Sequence, residues 1–511
     1  MAQASAGAAG FGTGGLTAGT QLCVPRRRKT LYVSAASADF PRMSDAVLAA
    51  PLKTSFRLTA VIVASALFME QLDGTVLATA LPAMARNFGV DPLHMNVALT
   101  AYLLSLAVFI PASGRFADRF GSRTVFRAAI AVFTLGSMLC GQAHGLTELV
   151  ASRVLQGLGG AMMTPVGRLV VLRSVPKADL VNAMTWVLIP ALLGPIIGPP
   201  LGGFFVTYLS WRWIFYINVP IGVLGMVMAS LFIDEVREDV RRPFDILGLG
   251  LSGTSLACLM FGFEFASRGV GSFWGSLALL AAGLVAGLLY VRHARRVADP
   301  ILDMRLMQVP SFALSAIGGG FSRIAAGSMP FLLPMMLQLG FGFSAAHSGL
   351  ITFMPAAGAL VMKAAAMPVL RRFGFRTCLI ANGLLAACLL LGCAAFRPGW
   401  PALAIYAVLL VYGFCMSLNF TALNAVAYAD ITRGQMSAAT SFYTTFQQLM
   451  LSAGICTAAM ALAASESVLH HGTADLTDFS VAFVVVAVAT LGSVPVCALL
   501  SPHAGDEMTG R

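Results

Sequence analysis

Arg119-Phe120-Gly121-Ser122-Arg123-Thr124 returns in the second half of the chain as Arg372-Phe373-Gly374-Phe375-Arg376-Thr377. Upstream, Leu81-Pro82 is echoed by Leu333-Pro334 at almost the same offset. In each copy Leu-Pro closes one apolar segment, a second apolar segment follows, and the RFGxRT turn comes next. Two related halves in so apolar a sequence are the mark of secondary transporters, whose substrate site lies between the halves near the membrane midplane.

The 511 residues are 58% hydrophobic and only 11% charged, against about a quarter charged in a soluble domain. No water-soluble fold can hide that much apolar surface, so the chain must use lipid as solvent. The net charge of +11 does not indicate nucleic acid, because the Lys and Arg residues fall in short clusters between apolar segments. The nine cysteines are scattered, with no CxxC pair and no His cluster, which reads as small apolar side chains in packed helices.

Residues 1–56 read as a disordered cytoplasmic tail with a basic run, Arg26-Arg27-Arg28-Lys29, and Met43 is an alternative start. After Arg57 come about fourteen apolar segments long enough to cross a bilayer as helices: 58–81, 95–113, 125–142, 149–171, 181–206, 213–233, 245–266, 272–291, 311–336, 346–367, 377–396, 401–428, 438–463 and 479–500. Cytoplasmic loops should be basic. With the N-terminus inside, each loop after an even-numbered span is: Arg115, Arg119, Arg123 and Arg127; Arg173 and Lys177; Arg237, Arg241 and Arg242; Arg292, Arg295, Arg296 and Arg305; Arg371, Arg372 and Arg376; Arg433. The opposite loops hold only isolated cations, Arg86, Arg212, Arg268 and Arg397. The expected architecture is all-α, with a six-helix bundle at 57–234, two inserted helices and linkers at 235–309, a second six-helix bundle at 310–500, and a cytoplasmic tail at 501–511.

Ionisable groups inside the bilayer point to function, since each costs about 2.5–3.5 kcal/mol or more at a helix centre. Glu70 and Asp73 share one face of span one. If both face one cavity they disfavour each other's charge, which suits one of them to carry a proton; alternatively one simply pairs with Arg153 of span four. Arg153 can be a structural clamp or a proton-linked switch. Arg323, mid-span in span nine, can contact an anion or substrate or form an ion pair. Glu264 reads as wet interface, and Lys363 reads as snorkelling, with no assigned role. Span five, with Gly194, Pro195, Gly198, Pro199, Gly202 and Gly203, reads as a kinked, closely packed helix suited to a rocking interface, or as a merely irregular one. No GxxxxGK[ST], HExxH, GxSxG or metal-spaced His set occurs, so pumping would draw on an ion gradient rather than on ATP by a phosphate loop.

In combination these motifs resemble the major facilitator superfamily, in its fourteen-span drug/proton antiporter branch, over about 57–500. Leu72-Asp73-Gly74-Thr75 through Leu81-Pro82 resembles that branch's span-one signature. Gly114-Arg115-Phe116-Ala117-Asp118-Arg119-Phe120-Gly121-Ser122-Arg123 resembles the superfamily's loop after span two. Arg153–Ala161 resembles its span-four motif, Gly194–Gly203 its antiporter motif, and Trp211–Pro220 a hallmark of the fourteen-span branch. Phe244-Asp245 and Pro300–Leu306 fit as well. Ser122 stands where the loop motif usually has a cation, and Arg371 stands at the second-half position matching Asp118.

The resemblance implies alternating access between two bundles and export driven by proton entry. Asp73, Glu70, Arg153, Gln156 and Arg323 would form the coupling and substrate region. Gly114, Asp118, Arg119, Gly121 and Arg123 would form a cytoplasmic latch. The expected substrates are hydrophobic or cationic drug-like molecules, with a proton gradient in place of a cofactor and no metal. The expected location is the cell membrane with both termini cytoplasmic, as a monomer, leaving room for an accessory export partner in a Gram-negative cell. The rival readings are an importer of a small metabolite with the same fold, a non-transporting membrane sensor and a membrane enzyme.

Overall fold

In the computed structural model the described residues are 56–174, 180–235, 244–268, 273–432, 435–469 and 475–501. The expected N-terminal tail, its basic run and Met43 lie outside them. So do Lys177, Arg237, Arg241, Arg242, Arg433 and the tail beyond 501, as do the side chains of Arg173, Glu264 and Arg268.

Every described regular element is helical, as lipid requires of a chain that must satisfy its own backbone hydrogen bonds. The long helices are α1 (Phe56–Val76), α2 (Asn96–Phe120), α3 (Ser122–Gln142), α4 (Leu146–Ser174), α5 (Leu180–Tyr208), α6 (Asn218–Phe232), α7 (Ile246–Arg268), α8 (Phe273–Ala294), α9 (Pro310–Met335), α10 (Met354–Phe373), α11 (Phe375–Ala394), α12 (Ala402–Ala429), α13 (Met436–Leu469) and α14 (Leu476–Leu491). Among the described residues twelve helices are long and apolar enough to cross a membrane. Helices α5 and α9 fall outside that group, although each spans 29 and 26 residues respectively. Both Leu-Pro pairs mark helix irregularities. Leu77–Ala80 tightens into a 3₁₀ turn ahead of Leu81-Pro82, and a π turn, Met336–Gly340, follows Leu333-Pro334.

The packing repeats as the sequence does. In the first half α1 packs on α4, α5 and α6, α4 on α2 and α3, and α3 on α6. In the second half α9 packs on α12, α13 and α14, α12 on α10 and α11, and α11 on α14, which is the same set shifted by eight helices. The turn glycines repeat too: Gly121 (φ 92°) joins α2 to α3 and Gly374 (φ 80°) joins α10 to α11, both in a conformation that L side chains rarely adopt. Helices α7 and α8 pair with each other, and α7 lies against α2 and α13, beside the seam between the halves.

The two ends of the bundle differ. At the end where α1 and α9 finish, one apolar core runs through both halves, from Val76, Leu77 and Leu81 to Leu333, Leu337 and Ile351. Gln338 Nε2 donates to Thr79 O (3.0 Å) and Ala346 N donates to Thr207 Oγ1 (3.0 Å) across the seam. At the other end the cores separate, one confined to α1–α6 and two confined to the second half. One helix traverse from the sealed end puts both RFGxRT turns at this open end, so the basic loops share a side.

Candidate functional site

Glycines bring the charged side chains together. A Cβ on Gly157 would meet Ser105 Cβ at 2.6 Å and Tyr102 O at 2.8 Å, and one on Gly136 would fall 2.7 Å from Gln156 Cα. Helix α4 therefore lies against the backbones of α2 and α3, and that contact places Arg153 beside Asp73.

Asp73, Arg153, Gln156, Asn218 and Ser137 are each completely buried. Arg153 Nη1 donates to Asp73 Oδ2 at 2.5 Å and to Gln156 Oε1 at 2.6 Å, and its Nε donates to Ala98 O at 3.1 Å. The guanidinium lies over the Tyr102 ring, 4.2 Å from the centroid, which faces a cation where Nη2 has no acceptor. The other carboxylate oxygen, Asp73 Oδ1, accepts from Gln156 Nε2 (2.8 Å) and Asn218 Nδ2 (3.3 Å). Ser137 Oγ accepts from Asn218 Nδ2 (3.0 Å) and donates to Phe215 O (3.0 Å), tying the cluster to the Trp211–Pro220 segment. Both carboxylate oxygens thus accept from donors on other helices: α4 and α6 converge on α1 through this one side chain.

Glu70, one turn away, is 8% exposed and accepts from Thr164 Oγ1 at 2.7 Å; among the described residues it has no cationic partner within ion-pair distance. The two carboxylates of span one therefore differ in kind. Asp73 is locked in an ion-paired network, and Glu70 holds one hydrogen bond. Neither lines the cavity bounded by α1, α5, α9, α10 and α12.

That cavity, of about 370 Å³, lies between the halves, within the range of drug-sized ligand sites. Thr75 of α1, Thr79 of the 3₁₀ turn that follows it, and Pro195 and Pro199 of α5 form one wall, and α9, α10 and α12 with Thr352 form the rest. Helix α5 seats itself on α1 by its glycines. A Cβ on Gly194 would lie 2.7 Å from Gln71 Cβ, and one on Gly198 or Gly202 would run into Thr75 or Thr79. Gly203 meets Ala345 of the second half, and Gly349 meets Pro199 from the other direction, so the Gly194–Gly203 segment forms both a wall of the cavity and its seal.

Arg323 does not join Asp73. It is 4% exposed in α9, donates to Gly319 O (3.2 Å), and lies over the Phe420 ring (5.0 Å) and the Tyr443 ring (5.3 Å), with no carboxylate partner among the described residues. Lys363, to which the sequence assigned no role, lines the cavity. Of the loop residues, Gly114 and Asp118 are half-buried at the end of α2, and Arg119 is exposed beside its neighbour Phe120. Arg123 Nη2 caps Ser230 O at 2.7 Å, tying the turn to α6.

Sequence reasoning missed Ser137, Tyr102 and Asn218 as site residues, and also Lys363. Asn218 had a signal, as a polar side chain inside an apolar hallmark segment. Ser137 and Tyr102 had none that sets them apart from other span residues. Among the described residues no group of acidic, His and Cys side chains could hold a metal ion.

The family model described as Major Facilitator Superfamily matches residues 63–455. A Salmonella heidelberg (strain SL476) protein, provisionally named multidrug resistance protein MdtD, is 40% identical over 403 residues, covering 78% of this chain and 85% of that protein. Among solved structures, a D-xylose–proton symporter aligns with a TM-score of 0.61 at 15% identity, covering 86% of this chain and 98% of that one. A bacterial homologue of the human lysosomal transporter Spinster, inward-facing and unoccupied, aligns with a TM-score of 0.59 at 13% identity, covering 87% and 95%.

Proposed function

Because the chain belongs to the Major Facilitator Superfamily, a family of membrane transporters, we propose that it exports hydrophobic drug-like small molecules by alternating access, in exchange for protons. The observation that carries this reading is the buried Asp73–Arg153 ion pair, set one helix face from a cavity between the halves. A buried ion pair is weak evidence for stability. Its retention across α1, α4 and α6 fits a switch whose charge state decides how those helices pack. In this reading Glu70, with one hydrogen bond and, among the described residues, no ion pair, takes the arriving proton, and Asp73 relays its effect to Arg153.

With both basic turns cytoplasmic, the separated cores face the cytoplasm and the shared core faces outside. The cavity would then be loaded from inside, as export requires. Fourteen spans, with α5 and α9 completing the two bundles, and cytoplasmic termini belong to the same reading. The multidrug resistance description of the 40% identical relative supports export over uptake. Of the two substrate classes expected from sequence, the hydrophobic one fits a cavity with no carboxylate among its described lining residues.

The test uses proteoliposomes. Glu70→Gln and Asp73→Asn should each abolish accumulation driven by a proton gradient, and Glu70→Gln should keep gradient-free exchange of labelled for unlabelled substrate. Full proton-driven transport in both variants would remove α1 from the coupling.

A further inference from the structure

The second half of this protein is without acidic side chains over a long stretch: residues 304–429, which supply α9 through α12, contain no Asp or Glu. Those helices build most of the cavity wall, and among the described lining residues Lys363 is the one that carries a charge. Arg323 adds a second cation. It lies 5.0 Å from the centroid of Phe420, and Phe420 itself lines the cavity, so a single aromatic ring separates the guanidinium from the cavity. The wall also offers hydrogen-bond donors. Tyr412 is 2% exposed and its hydroxyl has no partner, although the residue faces the cavity. A buried hydroxyl left unsatisfied costs about 1–3 kcal/mol, so the site is incomplete until an acceptor arrives.

From this arrangement we infer that the cavity selects an anionic amphiphile, a molecule with an apolar body and a carboxylate or sulfonate head. The anionic head pairs with Lys363, and a neutral acceptor at the other end accepts a hydrogen bond from the Tyr412 hydroxyl. The fold sets the spacing. Gly413 packs on the carbonyl of Pro355, which puts Tyr412 level with that turn of α10. Lys363 lies eight residues further along the same helix (363 − 355), a rise of roughly 12 Å. Lys363 and Asn424 are both exposed at the open end and Tyr412 is buried toward the seal, so the ligand enters with its apolar end first. A cationic molecule of the same shape would meet Lys363 and the field of Arg323 with no carboxylate to offset them. The inference rests on reading this cavity as the transported molecule's site, and it narrows the substrate class.

Binding, measured without any gradient, separates this inference from the export reading. The full chain in lipid nanodiscs is titrated with dansylglycine, and separately with the dansylamide of aminoethyl-trimethylammonium, which has the same fluorophore and the opposite charge; empty nanodiscs are subtracted. The native chain should bind the anion at least about tenfold more tightly than the cation, the effect of one charge-assisted contact of about 1.4 kcal/mol. Lys363→Gln should erase that preference and Lys363→Arg should keep it, which separates a lost charge from a lost fold. Tyr412→Phe should weaken the anion several-fold. Equal binding of the two probes, tighter binding of the cation, or an anion preference that survives Lys363→Gln would overturn the inference. Absence of proton-driven flux alongside this charge selectivity would count against export alone.

Discussion

Removing one partner of the Asp73–Arg153 pair should be far more damaging than removing both. Arg153 and Asp73 have no exposed surface and meet at 2.5 Å. Asp73→Asn leaves the guanidinium buried with Gln156 Oε1, Ala98 O and the Tyr102 ring but with no counter-charge. Arg153→Met leaves the carboxylate held only by the amide donors of Gln156 and Asn218. Leaving a buried charge uncompensated costs about 3–5 kcal/mol, and replacing the whole pair by neutral groups is often neutral or stabilising. The double variant should therefore lie within about 1 kcal/mol of the native chain, giving a coupling energy of about 5 kcal/mol or more. Reversible unfolding in mixed micelles of dodecylmaltoside and sodium dodecyl sulfate measures all four corners of the cycle. Proton-driven transport should be lost in all three variants, including the stable double one. Single variants that each cost under about 1 kcal/mol, or a double that costs their sum, would refute the view of a compensated buried pair.

Other consequences follow from the close approaches. Gly349→Ala pushes a methyl group into the Pro199 backbone across the sealed end. Overpacking there should cost about 1–3 kcal/mol, and because the contact exists only when that end is closed, it should shift the conformer ratio about 5- to 150-fold toward opening. Spin labels at positions 207 and 346 should then report a longer mean separation, and an unchanged distance distribution would contradict the seal. Gly121→Ala and Gly374→Ala should each destabilise by about 1–3 kcal/mol, because an L residue with positive φ and extended ψ is strained. Similar losses from both in the same unfolding assay would reflect the repeat, and no loss from either would argue against the turn geometry. Gly136→Ala would press on Gln156 Cα. It should loosen the hold of Gln156 on Asp73 and lower proton-driven transport while leaving the cavity lining unchanged; full transport would separate Gln156 from the coupling.

Much of this was legible in the sequence because lipid imposes few solutions. Apolar runs of span length must be helices, and the RFGxRT and Leu-Pro echoes announced a repeat that the packing then follows helix for helix. Arg153 was legible as a residue needing an anionic partner, and Asp73 was available to it. What the sequence could not give is direction around the helix axis. Glu70 and Asp73 share a face, yet that face meets α4 and α6 rather than the cavity, because the glycines of α5 pack against the neighbouring face of the first span, at Gln71, Thr75 and Thr79. Lys363 reads as a snorkelling side chain in one dimension and becomes a wall of the cavity only once α10 is seated on α12 through Gly358 and Gly413. Asn218 belongs to the Asp73 cluster only because the short helix Trp213–Tyr216 turns the chain so that α6 begins beside α3.

Movement of a proton down its gradient should drive a small molecule the other way. Everted membrane vesicles carrying the full chain, made acid inside, and a panel of neutral, anionic and cationic fluorescent dyes test it directly. Dye should accumulate inside the vesicles, drain at once on adding a protonophore, and fail to accumulate with Asp73→Asn. Accumulation that persists after the gradient is dissipated, or that requires the gradient in the opposite direction, would contradict it.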